Sequence, residues 1–152
     1  LLQDAVGDIY SNIALEKRLE LPNVEESIQN TLLDMGEDYF TDGMPHPMID
    51  VRLRVERIKK EAADPETAVI LLDCVLGYGC HEDPAGALAE AIAEARTIAG
   101  GRRLVFVGSV CGTDDDLQKR SEQEQKLREA GVIVMPSNAQ ASRVAARILA
   151  AR

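Results

Sequence analysis

One stretch, TAVILLDCVLGYGCHEDPAG at residues 67–86, limits most strongly what this chain can fold into. Its first part is a nearly unbroken apolar run, and such runs are typical of strands that are buried on both faces of a parallel sheet. A glycine loop follows at 77–79. Asp83 is a good helix N-cap, and Pro84 suits the first helical position. We therefore predict a strand, a loop and a helix in succession, the βα unit whose loop usually carries function.

The same order recurs along the chain. Strands are also predicted at 31–35, at 104–107 with Val110, and at 132–135, while helices are predicted at 48–63, 84–99, 114–130 and from Ser137 onwards. Right-handed crossovers between such units make the strands parallel and place helices on both faces of the sheet. The sequence therefore predicts the α/β class.

The composition limits which molecules this chain can bind and in which cellular compartment it is expected. The net charge of −9 and the pI near 4.7 argue against nucleic acid and anionic membrane surfaces. No apolar run approaches the roughly 20 residues that span a bilayer, and no signal-peptide pattern opens the chain. The three cysteines are an odd number in a chain too large to need disulfides, so we expect a reducing cytoplasm.

Ligands of open parallel sheets bind beyond the carboxyl ends of the strands. Four loops should meet there, and three contain glycine, which permits positive φ and close backbone approach. Each loop leads to a helix N-terminus, whose free N–H groups favour an anion. The candidate ligand-binding residues are Gly36, Glu37, Gly77, Tyr78, Gly79, Gly112, Thr113, Ser137 and Asn138. The alternative is that these glycines only make tight βα turns.

The same edge is rich in carboxylates, notably at 82–83 and 114–116, which oppose a free anion. Magnesium carried by a nucleotide would let an anionic ligand bind beside these carboxylates. Carboxylates that cap solvated turns are the simpler explanation for the acidic edge. His81 is the candidate catalytic residue, as an acid, a base or a phosphoryl acceptor. For His81 and for His46 we favour a polar structural role. Cys111 is interpreted as a packing residue, and no zinc-ligand spacing predicts a metal site.

Four segments carry a family resemblance: LLDMGEDYFTDGMPHPMID, ETAVILLDCVLGYGCHEDPAG, LVFVGSVCGTDDD and VMPSNAQASRVAA. They resemble the strand-loop units of the FdrA family, which is similar to the α subunit of succinyl-CoA synthetase and to other acyl-CoA synthetases. The resemblance implies a flavodoxin-like three-layer α/β/α domain at 30–152, with a mostly parallel sheet of four to five strands. It also implies acyl or phosphoryl transfer. CoA and ATP would bind largely outside this chain, and Mg²⁺ is possible.

The chain departs from the synthetase pattern at two loops. Gly77-Tyr78-Gly79-Cys80-His81 stands where the synthetase has Gly-Glu-Ile-Gly-Gly, so the glutamate that supports its phosphohistidine is absent. The loop at 112–116 contains no histidine. A phosphohistidine mechanism therefore does not carry over to that loop. Two alternatives stay open: a subunit of an oxamate carbamoyltransferase complex in allantoin degradation, and a non-catalytic assembly domain.

Residues 1–29 are interpreted as the tail of an incomplete first βα unit. The chain begins with Leu1 rather than Met, so we expect a piece of a larger FdrA-type chain, or a subunit with a partner, that is not active alone. In the flavodoxin-like order 2-1-3-4-5, the strand ahead of this segment lies inside the sheet. Residues 10–13, another chain or rearranged pairing of the two neighbouring strands could fill its place. We favour another chain or an upstream segment, because residues 10–12 are short and polar for a central strand. We therefore expect an oligomer, and we expect its substrate to be a small anion.

Overall fold

A computed structural model of the chain describes residues 1–151. The α/β class is confirmed. The elements follow one another as α1 (Gln3–Val6), β1 (Tyr10–Ser11), a 3-10 helix (Lys17–Leu19), β2 (Thr31–Leu32), α2 (Asp38–Thr41), α3 (Arg52–Ala63), β3 (Val69–Val75), α4 (Pro84–Ile98), β4 (Val105–Cys111), α5 (Arg120–Glu129), β5 (Ile133–Met135) and α6 (Asn138–Ala150).

The larger sheet contains three parallel strands in the order β3-β4-β5. β3 and β4 pair over seven residues, from Val69 opposite Val105 to Val75 opposite Cys111. α4 and α5 cover one face together with α3, which packs on α4, and α6 contacts the strands from the other face. Phe106, Leu88, Ile92 and Leu127 are fully buried in this core. The predicted helix-strand-helix layering is therefore present, with β3 and β4 at its centre.

The predicted single sheet of four to five strands is divided in two. β2 is shorter than the predicted strand at 31–35, and it pairs in parallel with β1 in a separate two-stranded sheet. Within residues 1–151, β3 pairs with β4 and with no other strand. β1 thus supplies a partner for β2, while the second edge of β3 stays open.

The predicted helix at 114–130 begins later than expected, at Arg120. The Asp114 carboxylate accepts a hydrogen bond from the Ser121 N–H at 2.7 Å, and the Asp116 carboxylate accepts one from the Thr113 N–H at 2.6 Å. Lys119, the residue before the helix, has φ of +52°. Aspartate side chains that bond nearby backbone N–H groups favour turns over helix. The carboxylates therefore hold a turn at 113–119 instead of the first helical turn.

We predict that Gly108→Ala destabilises the protein by about 1–3 kcal/mol, because a side chain in this closely packed strand must displace its neighbour. A Cβ on Gly108 would lie 2.8 Å from the backbone oxygen of Leu72 on β3. Gly43→Ala is the comparison variant. Gly43 has φ of +71° and open space around it, so alanine there would be disfavoured only by its backbone conformation and not by a steric clash. Urea unfolding measures both, and equal stability of Gly108→Ala and the parent would contradict the prediction.

Candidate functional site

The four candidate loops gather at one edge of the structure. β3, β4 and β5 are parallel, so the loops that follow them emerge at the same edge. The loop after β2 joins them through the segment 46–48. The His81 N–H donates to the Met48 carbonyl at 2.7 Å, and a Cβ on Gly36 would lie 2.5 Å from His46 Nε2. The predicted residues therefore share one region.

A buried glutamine holds the loop after β3. Gln118 is 6% exposed, and its amide nitrogen donates to the carbonyl oxygens of Gly77 and His81, each at 3.1 Å. Its amide oxygen accepts from the Gly77 N–H at 3.2 Å. Gly77 and Gly79 have φ of +134° and +82°, which L side chains rarely adopt. The loop conformation thus needs its glycines and Gln118, a residue that the sequence analysis missed because no motif surrounds it.

Both histidines use one ring nitrogen to hold the backbone. His81 Nδ1 accepts from the Asp83 N–H at 3.0 Å, and His46 Nδ1 accepts from the Met48 N–H at 3.2 Å. These bonds are consistent with the polar structural role predicted for each. His81 is half-buried, and its Nε2 has no hydrogen-bond partner within residues 1–151.

The N-terminus of α4 is already satisfied by side chains. The Ala85 N–H donates to the amide oxygen of Gln123 at 2.9 Å, and the Gly86 N–H donates to the Asp83 carboxylate at 3.1 Å. Pro84 has no N–H to offer. The first turn of α4 therefore has few donors left for an anion.

Asp83 itself is held from α5. Lys126 Nζ lies 2.8 Å from one carboxylate oxygen, and the Gln123 amide donates to the other at 3.0 Å. Burial raises the pKa of Asp83, but the hydrogen bonds from Lys126, Gln123 and the Gly86 N–H outweigh it and hold the pKa below its ordinary value. Asp83 is thus an ionised N-cap that links α4 to α5.

The start of α6 is different, because its first amides have no partner within residues 1–151. Ser137 is the N-cap and accepts from the Gln140 N–H at 3.3 Å, which matches the predicted capping-box spacing. The N–H groups of Asn138 and Ala139 precede the first possible intrahelical bond. The N–H groups of Tyr78 and Gly79 likewise find no acceptor in the described chain. N–H groups that could bind an anion therefore occur in the loop after β3 and at the start of α6.

The carboxylates of the edge are mostly engaged in local turns. Asp114 and Asp116 hold the turn after β4, and Glu37 is the N-cap of α2, accepting from the Tyr39 N–H at 3.1 Å. The hydrogen bonds from Ser121 hold the pKa of Asp114 below its ordinary value. These contacts support turn capping as the reason for the acidic edge. Among residues 1–151, no three His, Cys, Asp or Glu side chains form a group that could hold a metal ion.

The three cysteines are free and differ in exposure. Cys74 is fully buried, and burial raises the pKa of its thiol to about 12. Cys80 is half-buried. Cys111 is exposed, so its interpretation as a packing residue is wrong: it is the last residue of β4, beyond the part of the strand that the helices cover.

The structure belongs to the class of parallel α/β domains in which the loops after the strands meet at one sheet edge. Comparison with known proteins then identifies the family. The CoA-ligase family model matches residues 3–148, so the chain belongs to the CoA-ligase family. It is 48% identical over 134 residues to the uncharacterized protein YahF of Escherichia coli (strain K12). That match covers 87% of this chain and 26% of YahF, so the chain spans about a quarter of the relative's length. No helix within residues 1–151 is long and apolar enough to cross a membrane.

We predict that Asp83→Ala lowers the free energy of unfolding by about 0.5–2 kcal/mol, the usual cost of removing an N-cap. Asp83→Asn should cost less, since asparagine also caps helices, but it loses the ion pair with Lys126. Because the folded pKa lies below the ordinary 3.8, the ionic contribution is complete above that value and is lost as the pH falls through the folded pKa. The free energy of unfolding, measured from pH 7 to 2, should therefore fall less steeply at acid pH for Asp83→Asn than for the parent. An equally steep fall in both proteins would contradict the prediction.

Proposed function

We propose that this chain is the CoA-ligase domain of an FdrA-type acyl-CoA synthetase and takes part in acyl or phosphoryl transfer in the cytoplasm. The family membership supports the ligase class. The observation that carries the rest is the set of unpaired backbone N–H groups, in the glycine loop after β3 and at the start of α6, on one sheet edge. Such groups bind phosphate or carboxylate without any cationic side chain.

The roles of the individual residues follow from this geometry. The Tyr78 and Gly79 amides and the Asn138 amide would bind the anionic group, with Ser137 fixing the start of α6. His81 Nε2 would exchange a proton with the substrate, since Nδ1 is held by the Asp83 N–H. The remaining predicted residues would form the walls of the site: Gly36, Glu37, Gly77, Gly112 and Thr113.

The family implies coenzyme A, but the loops after β3 and β4 offer it no cationic side chain. Coenzyme A carries several phosphate charges, whereas residues 77–83 and 112–116 contain carboxylates and neither lysine nor arginine. We therefore place CoA and ATP binding, and any Mg²⁺ that accompanies the nucleotide, mainly on further polypeptide of a larger chain or a partner subunit. On this proposal the present domain binds only the small group that the reaction transfers.

One observation favours a second candidate, a carbamoyl transfer to or from oxamate. The loop after β4 passes from Gly112-Thr113 directly into the Asp114–Asp116 turn and offers no histidine to carry a phosphoryl group. A carbamoyl transfer needs no phosphohistidine. Oxamate and acyl phosphate are both small anions, so the same backbone amides would serve either reaction. Comparing the affinities of the chain for the two anions distinguishes the two candidate reactions.

We predict that Asn138→Pro weakens anion binding at least tenfold while Asn138→Ala retains it. Asn138 is the first residue of α6, where proline is tolerated, and Ser137 already has the extended conformation (φ −151°, ψ 159°) that precedes proline. The proline variant thus loses the N–H, whereas the alanine variant loses only the side chain. Titrations with phosphate, acetyl phosphate and oxamate, followed by NMR, give the affinities. Equal binding by both variants would place the anion elsewhere.

We further predict that His81 is not phosphorylated during turnover. His81 follows β3, whereas the synthetase's phosphohistidine loop follows the next strand, and Tyr78 stands in place of the glutamate expected from the synthetase pattern. The protein at its natural length, together with its partners, would be incubated with γ-labelled ATP and mapped by mass spectrometry. An acid-labile, base-stable label on His81 would contradict this prediction, with His81→Gln as the control for the site of labelling.

A further inference from the structure

Two polar side chains interrupt the apolar strands at the centre of the larger sheet. Asp73 lies within β3 and Ser109 within β4, and the two residues are directly opposite each other in the register of the strands. Neighbouring strands are about 4.8 Å apart, so the two side chains stand next to each other. Aspartate is disfavoured inside strands, so this pair needs an explanation other than strand formation.

Both side chains point toward α6. Successive residues of a strand point to opposite faces of the sheet, and Leu72 and Val110 belong to the apolar core on the α4 face. Asp73 and Ser109 alternate with these residues and therefore face α6, which contacts both strands. Ser109 also pairs with Met135, the last residue of β5, and α6 begins three residues later. The polar pair therefore lies beside the start of α6.

The start of α6 contributes hydrogen-bond donors to the same place. Asn138 and Ser142 line a groove beside β3, and Asp73 lies in the wall of the same groove. The N–H groups of Asn138 and Ala139 precede the first possible intrahelical bond. The Ser142 hydroxyl donates to the side-chain oxygen of Asn138 at 3.3 Å. Backbone donors from α6 and a carboxylate from β3 thus face one small space.

Neither strand side chain uses its full hydrogen-bonding capacity within residues 1–151. Ser109 is 5% exposed and its hydroxyl has no partner there, although every fully enclosed polar side-chain atom has one. The Ser109 hydroxyl is therefore still open to a small molecule. One Asp73 carboxylate oxygen lies 2.9 Å from the Arg54 guanidinium, which also donates to the Asp73 carbonyl oxygen. The pair leaves one hydroxyl and one carboxylate oxygen for a bound molecule.

This arrangement discriminates between kinds of anion. A phosphate or a simple carboxylate only accepts hydrogen bonds, so the α6 amides suit it but the Asp73 carboxylate repels it. A molecule with an anionic group at one end and an N–H group at the other satisfies both. Arg54 already compensates the charge of Asp73, which favours a neutral amide N–H over an ammonium group.

We propose that Asp73 determines specificity, by accepting a hydrogen bond from the nitrogen of a carbamoyl or other primary amide group on a small anion. The anionic end binds the first amides of α6, and the Ser109 hydroxyl donates to the carbonyl oxygen of the amide. This inference rests on the proposed anion site at the start of α6, and it favours the carbamoyl candidate over the acyl one. Asp73 forms no covalent bond in this role.

Probes that differ at a single group test the proposal. Oxamate and pyruvate are monoanions of nearly the same shape, with NH₂ in oxamate where pyruvate has CH₃, and carbamoyl phosphate differs from acetyl phosphate in the same way. Each is titrated into the 152-residue chain, and the NMR shifts of the Asn138 and Ala139 amides give the Kd. Each carbamoyl compound should bind roughly tenfold or more tightly than its methyl counterpart, as expected for one hydrogen bond to a charged group.

Variants assign that preference to Asp73. Asp73→Ala should lower the ratio of the two affinities to about one without weakening pyruvate, because only the amide ligand loses a hydrogen bond. Asp8→Ala is the matched control, since Asp8 also pairs with an arginine, Arg18, and does not line the groove. It should leave the ratio unchanged. A purely structural role of Asp73 would change both affinities together and not their ratio.

The possible failures are distinguishable. Equal affinities of the parent protein for oxamate and pyruvate, at amides that both anions shift, would overturn this inference and leave the anion site in place. A preference for oxamate that persists in Asp73→Ala would also overturn it. Tighter binding of glycine than of oxamate would identify the ligand as an ammonium compound. If none of these anions shifts the α6 amides, the proposed anion site fails and this inference fails with it.

Discussion

The parallel pairing of β3 with β4 is the interaction on which the rest of the structure depends. Seven residue pairs bring the two strands into register, and Gly108 lies so close to Leu72 that no side chain fits between them. This pairing aligns the carboxyl ends of both strands and therefore sets where the glycine loops emerge. It also supplies the apolar surface against which α4 and α6 pack on opposite faces. Loss of this register would shift the loop after β3 relative to the loop after β4.

The loop after β3 and the helix that follows it are held mainly by side chains from the segment leading into α5 and from α5 itself. Gln118 bonds the loop backbone, Gln123 bonds the first turn of α4, and Lys126 bonds the Asp83 carboxylate. Gln123 is 2% exposed, whereas most other side chains of α5 lie at the surface. Buried polar side chains are stable only when their hydrogen bonds are made, so these contacts restrict the loop to one conformation.

The sequence predicts best those features that have local causes. The apolar run of β3, the Asp83-Pro84 helix start and the Ser137 cap each depend on a few neighbouring residues, and the structure has them as expected. Features that depend on distant partners were missed. Gln118 and Gln123 act across about forty residues of sequence. α5 starts late because the Asp114 and Asp116 carboxylates bond nearby backbone N–H groups, an effect that helix propensities alone do not include.

The contrast among the thiols has a practical consequence for spectroscopy. Thiolates, not thiols, react with maleimides, so the buried Cys74 with its raised pKa will be inert while the exposed Cys111 will react. With Cys80 replaced by serine, Cys111 becomes a single attachment point at the end of β4, next to Gly112 and outside the packed core. A fluorophore or spin label placed there would respond to any molecule that binds near Cys111, in the Cys80→Ser variant and without a functional assay.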